Sequence, residues 1–204
     1  MIEFLFFLIG LFMGSFLGVV VDRTYRKETI IKGRSHCDKC KKELSFYDLI
    51  PVLSFILSRG KCRYCKTKLP IFYPAIEITT GLIFAFVFYF FKTESIINIT
   101  YYLVVVSSFI VIFFQDIKYG IIADKILVFA TAISLLFLFI FKNEVFLNHF
   151  VFGLTSFLFF VSISVVFYLV TKKQGMGGGD IKLSFLLGLF LGFPNILVSL
   201  YLAF

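Results

Sequence analysis

Charge is scarce in this chain: Asp, Glu, Lys and Arg make up 16% of its 204 residues, against 60% hydrophobic residues and a mean hydropathy of +0.99. Soluble domains carry roughly 45–50% apolar residues, so a water-soluble fold is excluded for want of anywhere to hide the excess. Tryptophan is absent, and 31 phenylalanines carry most of the aromatic content. Phe-rich helices suit a lipid-facing surface, and the bias has no functional reading beyond that. No basic stretch or small-residue cleavage site accompanies the first apolar run, Phe4 to Val21; only Glu3 stands close ahead of it, and Asp22 and Arg23 follow. That pattern excludes a removable secretory signal and reads as an uncleaved span. Neither an internal repeat nor a disordered tail stands out.

Long apolar runs are what the chain does have. Phe4–Val21 is long enough to cross a hydrocarbon core of ~30 Å, and further runs at about 75–91, 96–114, 126–141, 149–170 and 183–204 bring the expected spans to six. The fold class that follows is an all-α integral membrane helical bundle. Its expected organisation is a first transmembrane helix over 1–21, a polar insert over 22–73 and a transmembrane core over 74–204. The insert holds all four cysteines and thirteen of the twenty Lys and Arg residues. Lys118, Lys125, Lys172, Lys173 and Lys182 flank two later loops, and Lys92 and Lys142 alone fall on the opposite set. Because basic residues near span ends are retained in the cytoplasm, the amino terminus is expected outside and the insert, the 115–125 turn and the 171–182 loop inside. The same rule accounts for the basic insert without nucleic acid as a partner.

Gly10, Gly14 and Gly18 recur every fourth residue, which suits close helix packing or, alternatively, a substrate helix docking on the same strip. Cys37-Asp38-Lys39-Cys40 and Cys62-Arg63-Tyr64-Cys65 are two C-x-x-C pairs 21 residues apart. That spacing is close to that of a four-thiolate structural zinc site, Cys37, Cys40, Cys62 and Cys65 being the ligands, and metal would then supply much of the insert's folding free energy. A redox dithiol and two disulfides are the alternatives; a cytoplasmic location argues against disulfides. His36 is expected to be exposed beside a filled site, and His149 to be an interfacial residue without a catalytic task.

Two acids sit at the ends of apolar runs, where an uncompensated charge is costly. Asp116 follows Val111-Ile112-Phe113-Phe114-Gln115, and Asp180 closes Gly175-Met176-Gly177-Gly178-Gly179. The expected topology puts both at the cytoplasmic end, where two close carboxylates would share a proton, one activating water and the other protonating a leaving amine. The glycines let a substrate backbone or another helix approach; no Lys-Ser/Thr pair follows, so a phosphate loop is discounted. On these residues alone, a mere helix-end role for both acids is an equal reading. Asp22, Asp48 and Asp124 read as loop or cap residues.

Taken together these elements resemble the type IV prepilin peptidase family, membrane aspartic peptidases with a GxGD motif, here Gly177-Gly178-Gly179-Asp180 followed by Ile181-Lys182. Gly14-Ser15-Phe16-Leu17 looks like the family's amino-terminal GSFL, the cysteine pairs like its knuckles, and Leu49-Ile50-Pro51-Val52-Leu53-Ser54 like the loop between them. Tyr73-Pro74-Ala75-Ile76-Glu77 is similar to its YPxxE, and Asp116 stands at its first catalytic aspartate. Three departures stand out: Ala123 replaces a usual proline, Gly18 a frequent Asn, and relatives often continue past Phe204. The resemblance implies a dyad of Asp116 and Asp180, with Gly177, Gly179, Lys182 and Glu77 in support. It implies cleavage of the leader of prepilin or pseudopilin precursors, of pilus, secretion or competence systems, at the cytoplasmic face of the bacterial plasma membrane. S-adenosylmethionine is implied only where methyl transfer accompanies cleavage, which the loss of Asn at position 18 argues against; lipid is the remaining partner. The rival classes are a membrane scaffold with a zinc-knuckle module and a proton-coupled transporter.

Overall fold

The computed structural model describes residues 1–30, 33–173 and 175–196, and among them the only β-structure is two isolated bridges. Seven α-helices are assigned among the described residues: α1 Ile2–Tyr25, α2 Leu53–Leu57, α3 Phe72–Phe91, α4 Ile96–Tyr119, α5 Asp124–Phe141, α6 Asn143–Thr171 and α7 Gly178–Leu191, with a 3-10 turn at Phe46–Leu49. Five of these, α1 and α3 to α6, are long and apolar enough to cross a membrane. The run expected as the sixth span is not one continuous helix among the described residues. α7 has 14 residues and stops at Leu191, because Gly192 takes a left-handed φ of +61° and Pro194 follows, a pairing that ends helices. Positions 197–204 of that expected span lie outside the described residues.

The chain divides into two compact units, Met1–Gly120 and Ile121–Phe204. In the first, α1 and α3 run antiparallel in very close contact. A Cβ on Gly10 would fall 2.7 Å from the Cα of Gly81, and one on Gly14 2.6 Å from the Cα of Glu77. Any side chain there would drive the helices apart, so the glycine strip is a helix-packing seam. α4 lies beside both, with Phe72 edge-on to Phe114 and Tyr25 stacked on Tyr119 at 3.8 Å between centroids. α1 continues to Tyr25, so Asp22 and Arg23 are helical and buried; the loop-or-cap reading of Asp22 is thereby corrected. The Arg23 guanidinium donates to the carbonyls of Thr29, Ile30, Gly33 and Arg34 and folds the following chain back onto the helix end.

In the second unit α6 and α7 cross through glycine as well. A Cβ on Gly188 would meet the Phe152 carbonyl oxygen at 2.5 Å and the Gly153 Cα at 2.7 Å. His149 is not simply interfacial: the Leu189 carbonyl accepts from its Nδ1 at 2.8 Å, and the Asn148 carboxamide oxygen accepts the Phe193 N–H. Both bonds hold the end of α7 against α6.

Candidate active site and metal centre

The two cysteine pairs sit in duplicated backbone. The Cys37 N–H donates to the Lys42 carbonyl, Lys41 to Cys37 and Leu44 to Ser35; the same bonds recur 25 residues on, from Cys62 to Thr67, Lys66 to Cys62 and Leu69 to Gly60. Lys41 and Lys66, each directly after a second cysteine, both take a left-handed φ, of 57° and 58°. The duplication is written in the sequence as C-x-x-C-K-x-x-L, a short repeat that reading the chain for longer periods passes over.

The knuckles bring all four sulfurs within 4.8 Å of one another, with Cys37 and Cys65 Sγ 3.8 Å apart. Four thiolates around one ion at a metal–sulfur distance of about 2.3 Å stand roughly 3.8 Å apart along each tetrahedral edge, so the cluster fits a single tetrahedral metal ion. A backbone donor already favours the ligand form at one sulfur: the Thr67 N–H pulls the Cys65 thiol down to about 6. At Cys40 the Lys42 N–H also pulls down, but desolvation and the sulfurs of Cys37 and Cys65 outweigh it and the thiol lies at about 11. His36 is exposed, its ring beside the Arg34 carbonyl, and takes no part in the cluster.

A cavity of about 350 Å³ lies within the first unit, between this insert and the ends of α1 and α3, lined among others by Gly18, Asp22, Cys37, Leu69, Tyr73 and Glu77. Glu77 is buried, and its Oε2 accepts the N–H of Val52 at 2.7 Å. Val52 is β-branched with a φ of +61°, a rare and strained combination that the carboxylate tie holds in place. Glu77 thus anchors the Leu49–Ser54 loop to α3.

Asp22 is the most heavily engaged acid. Its Oδ1 accepts from Lys118 Nζ at 2.5 Å and the Tyr119 hydroxyl at 2.8 Å, and its Oδ2 from the Tyr73 hydroxyl at 2.9 Å. Those contacts gather α1, α3 and the last turn of α4, two residues beyond Asp116. The chain has six aspartates, and four are ion-paired: Asp22 with Lys118, Asp38 with Arg26, Asp48 with Arg63 and Asp124 with Lys182. Asp48 also caps the 3-10 turn through Ser45. Asp124 lies in the first turn of α5 and not at its cap, and Lys182, the lysine after the GxGD sequence, reaches it at 2.6 Å.

Of the six aspartates, Asp116 and Asp180 alone have no ion-pair partner among the described residues, and both side chains are exposed. Asp116 belongs to the first unit, in the final turn of α4, where its carbonyl accepts the N–H of the cap Gly120. Asp180 belongs to the second, in the first turn of α7, where the helix dipole favours a carboxylate. Its glycines have separate reasons. A Cβ on Gly177 would lie 2.9 Å from Asp180 Oδ2, one on Gly179 2.9 Å from Ile122, and one on Gly178 would meet nothing within 4 Å. At the third glycine a side chain would collide with the Cβ of Ile122, at the first only the rotatable Asp180 carboxylate would have to give, and at the middle one nothing stands in the way.

A multi-spanning membrane protein with a thiolate cluster and unpaired acids at helix ends is the class this architecture defines. Residues 8–91 match the model of the bacterial peptidase A24 N-terminal domain, and residues 103–204 that of the type IV leader peptidase family. The chain belongs to the type IV leader peptidase family. It is similar to proteins named prepilin leader peptidase/N-methyltransferase: 31% identical to that of Myxococcus xanthus over 97% of this chain and 58% of the relative, and 31% identical to that of Bacillus subtilis over 91% and 72%. The Vibrio cholerae protein of the same name is 29% identical over 92% of this chain and 77% of its own length. No solved structure matches the chain.

Proposed function

We propose that this chain is a membrane aspartic endopeptidase that removes the leader of type IV prepilin-like precursors, with Asp116 and Asp180 as its catalytic pair. The observation that carries this reading is the selective freedom of those two carboxylates in a chain that ion-pairs its other four aspartates. Two carboxylates brought together share one proton. The ionised member takes a proton from water as the oxygen attacks the scissile carbonyl; the protonated member then gives its proton to the leaving nitrogen as the C–N bond breaks. The placement of Lys, Arg and the two acids supports a cytoplasmic site, an outside amino terminus and a cytoplasmic insert in the plasma membrane. The substrates that fit are prepilins or pseudopilins with a basic leader followed by an apolar helix. The cysteine cluster holds a structural zinc, whose role is to fold the insert and not to take part in cleavage.

Asp116→Asn and Asp180→Asn should each abolish cleavage of a co-expressed precursor while the protein stays inserted. Loss of general acid–base help is worth about 10²–10⁴-fold, and the double variant should be scarcely worse than either single one. Near-normal cleavage by either single variant would return the scaffold and transporter readings to the front. Methyl transfer from S-adenosylmethionine is expected to be weak or absent, because Gly18 stands where relatives often carry Asn. Mass spectra of processed substrate decide this, and a complete gain of one methylene mass would refute it.

A further inference from the structure

The insert has two unlike sides. Around the knuckles its exposed residues are polar, Lys39, Lys41, Lys42 and Glu43 among them. The 3-10 turn and α2 instead expose Phe46 at 75%, Tyr47 at 69%, Leu53 at 56%, Ile56 at 61% and Leu57 at 81%. Such a patch on one short segment calls for a partner.

Two observations fix the level at which this segment lies. Glu77, which accepts the Val52 N–H, is five residues into α3, a helix that starts at Phe72 and is long enough to span. At 1.5 Å per residue Val52 is pinned about 7.5 Å along the span from its start. Independently, the Glu77 backbone packs on Gly14, eight residues before Asp22 in the uncharged run of α1 and so about 12 Å inside the first charge. The N–H at the entry to α2 is therefore tied to backbone inside the span of α3, and Leu53, Ile56 and Leu57 follow within five residues of that tie. Arg59 and Lys61 follow directly and are exposed.

We infer that residues 46–57 form an interfacial element that seats its apolar face at the headgroup–acyl boundary of an anionic bilayer. Interfacial elements bury their apolar side about 5–10 Å into that boundary, with basic residues at the phosphates and Tyr at headgroup level. The element extends the lipid-facing surface of α3 sideways and holds the knuckles at a set height above the bilayer. It is independent of which residues cleave the substrate.

The absence of native tryptophan makes the test direct. Leu57→Trp in the full chain is reconstituted into phosphatidylcholine–phosphatidylglycerol vesicles with brominated acyl chains, with Glu43→Trp on the polar side as reference. The expected result at position 57 is blue-shifted emission with several-fold stronger bromine quenching and weaker acrylamide quenching than at position 43. Ile56→Trp repeats the measurement should Leu57→Trp fail to insert. Emission and quenching equal to those at position 43 would overturn the proposal. So would a signal that stays water-like in vesicles and shifts only when a precursor peptide is added, which would assign the face to substrate.

Discussion

The two units solve the same packing problem and differ in what they add to it. Each brings helices to backbone contact through glycine, Gly10 and Gly14 on α3 in the first and Gly153 and Gly188 between α6 and α7 in the second. The first then overlays polar ties: Asp22 on three side chains, Glu77 on the Val52 N–H, Arg23 on four carbonyls and a four-sulfur cluster. The second adds His149 and Asn148 at one end of α7 and the exposed Lys182–Asp124 pair at the other. Glycine seams suffice to pack helices in lipid, whereas an insert with little core of its own is held by polar cross-links and by four converging sulfurs.

The largest effect that separates the units is metal removal. Structural zinc contributes about 10–16 kcal/mol to small thiolate modules, so purified protein should carry about one zinc per chain, as the four-ligand site requires, and Cys40→Ser should carry almost none. The insert should then become protease-sensitive while fragments of the second unit stay protected. Equal zinc in both proteins, or none in either, would remove the metal from the first unit's account.

Side chains at the seams should be nearly as damaging and should act in both units alike. Gly14→Leu and Gly188→Leu force a Cβ to within 2.6 and 2.5 Å of neighbouring backbone, and overpacking of that kind costs about 1–3 kcal/mol or more. Thermal unfolding in detergent should show both strongly destabilised. At Gly18 the nearest atoms to an added Cβ are 3.6 Å away, so Gly18→Ala should unfold close to the parent. A tolerated Gly188→Leu would show that only the first unit depends on its seam.

The acids give the finest contrast. Asp22 lies buried against Lys118, and removing one partner of a buried pair costs about 3–5 kcal/mol because the other charge is left uncompensated. The Asp124 and Lys182 side chains are 66% and 54% exposed, and such pairs contribute about 0–1 kcal/mol. Asp22→Ala should therefore lower the melting temperature clearly, while Asp124→Asn should stay near the parent and keep cleaving precursor. Equal shifts would mean that the Asp22 cluster is no tighter than a surface pair.

Much of this was legible because its period or spacing is local. Five of the six expected spans, the strip at Gly10 and Gly14, the two C-x-x-C pairs and the GxGD sequence lie within short windows and follow from hydropathy, helical repeat and thiolate chemistry. The knuckle repeat at positions 35–44 and 60–69 was equally local and was missed only because ten residues is short for a repeat. Asp22 could not be read. Its partner Lys118 is 96 positions away, and an acid next to the end of an apolar run looks like a cap until the helix continues past it. Gly153 and Gly188 are likewise single glycines in separate runs, and only the crossing of α6 and α7 makes them one seam.

The sequence by itself determined that the chain lives in a membrane and that its cysteines converge on one centre, since composition and spacing set solvation and ligand geometry directly. The tertiary structure decided which of the six aspartates stand without an ion-pair partner among the described residues. An ion pair forms between whichever charges the packed helices bring within about 4 Å, and that proximity is a property of the packing, not of position along the chain.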